Sequence, residues 1–201
     1  MSRIFLLSPA YAGGVRARMI MSETAQFDLA RRLRSAKSPT LGEVFSFLSG
    51  LYFRGKLAYA NAFALPADVL VITPNRGLLP ASRPINIAEL RAFAEVDIHE
   101  DDPRYRRPLE RDVRKLTKRL PESEVVLLGS IATGKYVDIL LDNLGDRLLF
   151  PGDFVGRGDM SRGGLLLRSA VDRCELSYIP VRGAIRKGKR PPKLEPRRYN
   201  K

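Results

Sequence analysis

The sequence contains very little cysteine and histidine. Its 201 residues include one cysteine, Cys174, and one histidine, His99. A single cysteine cannot form an internal disulfide bond, and no cysteine–histidine cluster has the spacing of a zinc site. His99 lies among acidic residues, including Asp97, Glu100 and Asp101, which is typical of a solvated loop. We therefore predict no disulfide, no metal site and no cofactor.

Long apolar runs are also missing. No stretch approaches the roughly 20 apolar residues that a membrane-spanning helix needs. The apolar residues 4–7 form a run shorter than the roughly 7–15-residue core of a signal peptide, so we interpret them as a first β-strand. These features predict a cytoplasmic protein without a membrane partner.

Acidic residues are few relative to basic ones. The chain has 35 lysines and arginines against 22 aspartates and glutamates, a net charge of +13. Residues 182–201 contain nine basic residues and one acid, so they carry +8 and leave +5 for the other 181 residues. A basic segment without apolar periodicity is typical of a tail that is disordered until it meets a polyanion. We predict a flexible basic tail over residues 182–201 and a nucleic-acid partner, DNA or RNA.

Hydrophobic residues make up 44% of the chain, which is enough for a sizeable core. The strand candidates are residues 4–7, 69–72, 125–128, 147–150 and 176–181. The helix candidates are residues 16–33, 44–63 after a capping box at Thr40 and Glu43, 87–95, 135–144 and a segment opened by Pro108. Short strands that alternate with helices predict an α/β fold. We expect a single three-layer domain over residues 1–181, with a mostly parallel central sheet.

The helix predicted over residues 44–63 is apolar almost all round, which indicates that it is buried on most sides. Its aromatic residues are most simply explained as core, and the alternative is that one of the rings stacks on a nucleobase. Arg54 and Lys56 interrupt the pattern. We therefore expect one edge of this helix to reach solvent or an anionic ligand.

Four segments of small and polar residues follow predicted strands, namely residues 8–14, 73–77, 129–135 and 151–164. Ligands of open parallel sheets lie beyond the carboxyl ends of the strands, so we expect a site where these segments meet. Ser8 opens the first segment and is a candidate for substrate binding. Asn75 could read the edge of a nucleobase with its amide, or could stabilise the turn that contains it.

Residues 129–135 match the phosphate-loop pattern G-x-x-x-x-G-K after a predicted strand and before a predicted helix. Tyr136 follows, where a Mg²⁺-binding Ser or Thr would stand, so a nucleoside-triphosphate site is not favoured. A helix start of this kind suits a single phosphate, and the other interpretation is a plain turn. The candidate phosphate-binding residues are Gly129, Ser130, Thr133 and Lys135.

Residues 151–164 combine five glycines with two arginines and two aspartates. Glycines allow close backbone approach, arginines bind phosphates, and carboxylates beside them stay ionised. We interpret this segment as a functional loop. Its candidates are the catalytic carboxylates Asp159 and Asp153 and the substrate-binding residues Arg157, Ser161 and Arg162.

Residues 125–168 resemble the uracil-DNA glycosylase superfamily in their order of strand, small-residue turn, helix, strand and late loop. The resemblance implies a compact α/β fold, a flipped base and a polar group that positions water at the sugar carbon. Asn75 is similar in placement to the base-reading asparagine of those enzymes. The Gly-x-Asp-Pro-Tyr motif is replaced by residues 8–11, and residues 157–162 stand in place of the His-Pro-Ser motif. A catalytic carboxylate must then come from Asp159 or Asp153.

Two classes of function fit these features. The first is a glycosylase-like enzyme that processes a base or N-glycosidic bond in DNA or RNA. The second is a non-catalytic DNA- or RNA-binding protein, in which the basic tail supplies affinity and a cleft binds phosphate. A small-molecule enzyme with an incidental basic tail is a third interpretation.

Overall fold

Strands and helices alternate along the chain in a computed structural model that describes residues 3–196. The strands are β1 (Arg3–Leu7), β2 (Val69–Thr73), β3 (Gly77–Pro80), β4 (Glu124–Leu128), β5 (Leu148–Pro151) and β6 (Tyr178–Pro180). The helices are α1 (Val15–Met21), α2 (Asp28–Leu33), α3 (Leu41–Ser49), α4 (Leu51–Phe63), α5 (Ile87–Ala94), α6 (Pro103–Arg119), α7 (Gly134–Leu144) and α8 (Asp159–Asp172). The α/β class is therefore as predicted.

The six strands form one sheet in the order β3-β2-β1-β4-β5-β6. The four inner strands run parallel to one another, and both edge strands run antiparallel to their neighbours. The sheet is thus mixed, and the prediction of a mostly parallel sheet is wrong at both edges. The β3 edge arises because the chain reverses at Gly77, whose φ of 65° suits glycine, and runs back along β2.

The helices contact the sheet in two groups. Helix α4 packs on β1, β2 and α8, whereas α6 packs on β2, β3 and α7. Helix α8, which follows β5, thus belongs to the group of α4, whereas α6 and α7, which precede and follow β4, form the other group. The arrangement is compatible with a three-layer domain whose core includes the fully buried β1 residues Phe5, Leu6 and Leu7.

Several helix boundaries differ from the sequence prediction. Residues 44–63 form two helices because Gly50 takes a left-handed φ of 65° between α3 and α4. The capping box at Thr40 and Glu43 is confirmed at the start of α3. Helix α6 begins earlier than predicted, because Asp102 caps it and Pro103 occupies its first turn, so that Pro108 lies inside it.

The largest difference is at residues 151–164, which were predicted to form a loop. A helix, α8, begins at Asp159 and continues to Asp172. The candidates Asp159, Ser161 and Arg162 therefore lie on its first turn, on a regular element. The glycines that suggested a loop include Gly163, which the helix needs for its packing.

Helices α4 and α8 make the most extensive helix–helix contact among the described residues, and glycines lie at the contact. A Cβ atom built on Gly55 would lie 2.6 Å from the backbone oxygen of Gly163. A Cβ on Gly163 would lie 2.8 Å from the oxygen of Leu51 and 2.9 Å from the Cα of Tyr52. The two backbones therefore approach each other more closely than any side chain would allow.

Residues 182–196 form neither helix nor strand, and they lie against the domain. Arg182 pairs with Asp146 at 3.3 Å, and Arg186 pairs with Asp138 at 2.8 Å. The guanidinium of Arg157 donates to the backbone oxygen of Pro192. The flexibility of the basic tail stays a prediction, and its residues 197–201 lie outside the described residues.

Within residues 3–196, no helix has both the length and the apolar character to cross a membrane. The longest, α6, has 17 residues and carries a dense set of arginines and lysines.

The contact between α4 and α8 predicts a strong effect of Gly163→Ala. The added methyl group must push two backbones apart, so we expect a loss of about 1–3 kcal/mol in the free energy of unfolding, despite the better helix propensity of alanine. Thermal unfolding followed by circular dichroism measures it. The matched control is Gly164→Ala, whose Cβ would meet only Leu194 Cδ1 at 3.5 Å and should leave the melting temperature unchanged or raised. Equal melting temperatures for the two variants would contradict this account of the contact.

Candidate functional site

A cleft of about 760 Å³ opens at the carboxyl ends of β1 and β4. Strands β2 and β4 lie on opposite sides of β1 in the sheet. The chain after β1 leads toward β2, whereas the chain after β4 leads toward β5 on the other side, so the loops after β1 and β4 diverge. Such a point in an open α/β sheet is where ligands bind. The cleft is lined by residues 8–13 after β1, by Ser130, Thr133, Lys135 and Tyr136 after β4, and by side chains of α3, α4, α5 and α8.

The start of α7 forms one end of the cleft. Ser130, Thr133 and Lys135 line it, and Thr133 is the N-terminal flanking residue of the helix without a side-chain capping bond. Backbone N–H groups and the helix dipole favour an anion at such a position. Asp138, in the next turn, is paired with Arg186, which offsets its charge. Of the predicted phosphate-binding residues, Ser130, Thr133 and Lys135 thus line this end of the cleft.

Ser8 lies at the base of the cleft, where its backbone N–H donates to Leu128 O and continues the pairing of β1 with β4. A Cβ atom on Gly129 would lie 2.8 Å from Ser8 Cβ and 3.0 Å from Tyr136 Oη. Gly129, predicted to bind phosphate, instead leaves the space that Ser8 and Tyr136 occupy.

Lys56 lies directly behind Ser8 and is only 1% exposed. Its ammonium donates to the backbone oxygen of Ser8 at 2.6 Å and to Ser8 Oγ at 2.8 Å. The nitrogen also lies over the rings of Tyr52 and Phe53, at 4.6 and 4.7 Å from their centroids. Burial lowers the pKa of Lys56 to about 7, and the charge of Asp159 opposes that shift only in part.

Two buried tyrosines complete the base of the cleft. The hydroxyl of Tyr136 donates to Ser130 O at 2.9 Å. Burial raises the pKa of Tyr136, and the hydrogen bond between this hydroxyl and Ser8 opposes that shift. Tyr52 is 6% exposed, and its hydroxyl has no hydrogen-bond partner of good geometry among the described residues. Burial raises the pKa of Tyr52, and the nearby Arg162 charge opposes this.

Asp159 brings a carboxylate to the cleft from the first turn of α8. Its side chain is 68% exposed and lies 3.4 Å from the guanidinium of Arg162. Its charge acts on Lys56, Tyr52 and Tyr136, which agrees with its position facing the base of the cleft. Of the two carboxylates that the sequence offered as catalytic, Asp159 lies at the cleft.

The other candidates from that segment do not line the cleft, although Arg162 contacts Asp159, which does. Asp153 is exposed, and its backbone oxygen accepts from Arg157 Nε at 2.9 Å. Arg157 also donates to Ser161 Oγ at 3.2 Å. Arg162 is buried, donates to Phe154 O through Nε and Nη2, and so holds the turn before α8. Their hydrogen bonds hold the turn before α8 and its first turn.

Asn75 also lies apart from the cleft. Its side-chain nitrogen donates to Ala92 O at 2.7 Å, which ties the turn after β2 to α5. Its side-chain oxygen is buried without a partner among the described residues. The structure therefore agrees with the stabilisation of the turn, which the sequence left open beside base recognition.

Arg157 and Ser161 line a second depression of about 310 Å³ with residues of the basic tail. It is formed between α8 and residues 190–194, and its cations are Arg157, Arg168, Arg190 and Lys193. No acidic residue lines it within the described part of the chain. We call this depression the basic groove. Gly158 and Met160, which flank Asp159 in sequence, belong to its lining, so the groove adjoins the cleft.

Sequence reasoning missed Lys56, Tyr52 and His99 as members of the site. The signal for Lys56 was present, since it interrupts an apolar helix, but its partner is a serine 48 residues away. His99 lines the cleft, although the acidic residues around it suggested only a solvated loop. In residues 3–196, no group of three or more histidine, cysteine or acidic side chains is placed to hold a metal ion.

The cleft thus combines the N-terminal end of a helix, aromatic rings, an exposed carboxylate and a buried serine–lysine pair. No protein-family model, no curated protein and no solved structure matches this chain.

Proposed function

We propose that the cleft binds one nucleotide unit of a nucleic acid and hydrolyses its N-glycosidic bond. The observation that carries the proposal is the convergence of Ser8, the start of α7 and Asp159 on a single cleft. These groups come from three distant parts of the sequence. Their chemistry matches the three parts of a nucleotide, which are a phosphate, a sugar and a base.

The phosphate would bind at the start of α7. Ser130 and Thr133 offer hydroxyl groups, Lys135 offers an ammonium, and the helix offers backbone N–H groups. This set suits one phosphate, because Tyr136 occupies the place of a Mg²⁺-binding hydroxyl and is itself buried.

The base would lie among the aromatic side chains of the cleft. Tyr11 is exposed at its rim, and the ring of Tyr52 lies at its base. A ring stacks on any nucleobase, so these side chains would hold the base without selecting its identity. A base must leave its duplex to reach this position, as in enzymes that act on flipped bases.

The carboxylate of Asp159 would act at the sugar. Cleavage of an N-glycosidic bond leaves positive charge on the sugar ring in the transition state, and a nearby carboxylate stabilises it. A water molecule between Asp159 and Ser8 would then attack the sugar carbon. The finer fold proposal, a three-layer domain of the uracil-DNA glycosylase type, agrees with the position of the cleft beyond β1 and β4.

A second candidate function is nucleic-acid binding without catalysis, which the basic groove favours. Its four cations adjoin the cleft and meet no acidic partner in the groove lining that the structure describes. The groove would hold backbone phosphates next to the nucleotide in the cleft. In the catalytic proposal, the same groove positions the substrate.

Asp159→Asn should abolish most base release. We expect a loss of about 10²–10⁴-fold, because the amide cannot stabilise the charged sugar. The assay incubates the protein with single- and double-stranded DNA and RNA oligonucleotides that carry normal, deaminated or alkylated bases. Released base is measured by chromatography, and the abasic product by alkaline cleavage.

The matched control is Asp153→Asn, which makes the same chemical change on an exposed residue outside the cleft. It should retain the activity of the unaltered protein. Equal losses in the two variants would contradict the assignment of Asp159. Binding without base release from any of these oligonucleotides would favour the second function.

Replacing Arg190 and Lys193 together by Gln should weaken oligonucleotide binding. Each phosphate contact contributes a slope of about −0.9 to the dependence of log affinity on log salt for duplex DNA, so we expect the slope to fall by up to about 2. Fluorescence anisotropy with one labelled duplex at several salt concentrations measures it. The control removes two charges elsewhere, at Arg31 and Lys37, which are exposed and outside the groove. An identical change in slope for both variants would rule out a specific role for the groove.

A further inference from the structure

We propose that Ser8 and Lys56 form a proton relay for the water that attacks the sugar, with Ser8 in contact with the water and Lys56 as the base behind it. The inference rests on the proposed function, adds Lys56 to its mechanism and gives Ser8 a role in proton transfer. The sequence offered Ser8 only as a substrate-binding residue and did not offer Lys56 as a member of the site.

Lys56 is an unusual buried residue. It is 1% exposed, lies in the middle of α4 and has no ion pair with any carboxylate that the structure describes. Burial of an unpaired ammonium is costly, and proteins tolerate it mainly where the amine has a task. Both hydrogen bonds of Lys56 go to one residue, Ser8, which lines the cleft.

The groups around Lys56 leave it free to change its protonation state. The rings of Tyr52 and Phe53, also on α4, lie against its nitrogen. Ser8, which directly follows β1, accepts a hydrogen bond from it. The one acidic charge that acts on it is Asp159 of α8, and Tyr136 of α7 connects to it through Ser8. Desolvation outweighs the carboxylate and lowers the pKa of Lys56 to about 7, so that a large fraction is neutral near neutral pH.

A neutral Lys56 reverses the direction of its bond with Ser8. The charged amine donates to Ser8 Oγ, whereas the neutral amine has a lone pair that accepts the Ser8 hydroxyl proton over the same 2.8 Å. The remaining N–H groups keep the bond to the Ser8 backbone oxygen. This is the arrangement of a hydroxyl and base pair, in which a lysine with a lowered pKa serves as the base.

The relay moves one proton from the attacking water to Lys56 through Ser8. Water loses a proton to Ser8 Oγ while the Ser8 hydroxyl proton moves to Lys56 Nζ, and the water oxygen bonds to the sugar carbon. The bond from that carbon to the base nitrogen breaks, its electron pair leaves with the base, and the base takes a proton from solvent. Lys56 then returns its proton to solvent through Ser8.

Lys56 itself does not line the cleft, which excludes it as the attacking nucleophile. Its effect must pass through Ser8. The competing interpretation is that Lys56 only anchors the loop after β1 by its bond to the Ser8 backbone. The two interpretations differ in their dependence on pH, because an anchor does not need to lose its proton.

The first measurement is the pH dependence of base release for the oligonucleotide that is cleaved best. We expect the rate of the unaltered protein to rise as pH increases through about 7 and then to level off. Lys56→Met and Ser8→Ala should each lose about 10²–10⁴-fold and lose this rise with pH. Lys56→Met should fold, because a neutral side chain of similar length removes a buried charge. Lys115→Met, at an exposed lysine, is the control and should leave the profile unchanged.

The second measurement needs no substrate. Carbon-13 NMR of the lysine Cε groups should show one lysine that titrates near pH 7, which disappears in Lys56→Met and shifts in Ser8→Ala. Titration of Lys56 near its ordinary pKa, or an unchanged rate profile in Lys56→Met, would overturn the relay and leave the proposed function standing. Absence of base release from every oligonucleotide would overturn the proposed function and the relay with it, even with the titration as expected.

Discussion

The close approach of α4 and α8 is the constraint on which the candidate site depends. Because Gly55 and Gly163 carry no side chains, the two backbones touch, and each helix brings its own part of the site to the same place. Helix α4 supplies Tyr52 and Lys56 at the base of the cleft, and α8 supplies Asp159 at its rim. A wider separation would move the carboxylate away from the amine that its charge acts on.

Much of the fold could be predicted from the sequence, because its inner strands are short apolar runs and its capped helices begin at recognisable residues. The edge strand β3 could not, since it contains two leucines and a proline and exists only because β2 offers it a partner. Helix α8 could not either, because its glycines suggest a loop when read alone. Only the contact with α4, about a hundred residues earlier in the chain, explains why α8 needs a glycine at position 163.

The same distinction applies to the site. Ser8, Ser130 and Lys135 could be predicted, because residues that follow neighbouring parallel strands meet at one edge of the sheet. Asn75 follows the same rule in sequence, but its amide bonds to α5 instead. Lys56 could not be placed, because its role depends on burial and on a partner 48 residues away. Local patterns predict which residues reach the edge of the sheet, whereas only tertiary contacts decide which side chains remain available for a ligand.

The charges of this protein divide into two kinds with different physical roles. Most arginines and lysines are exposed, and those of the basic groove can attract phosphates at long range and lose that attraction as salt screens them. Lys56 is the opposite case, because its surroundings are too apolar for salt to screen and too poor in carboxylates to keep it charged. Under the proposed function, binding and chemistry are therefore separable in this fold. A change in ionic strength acts on the first, whereas a change in pH near neutrality acts on the second.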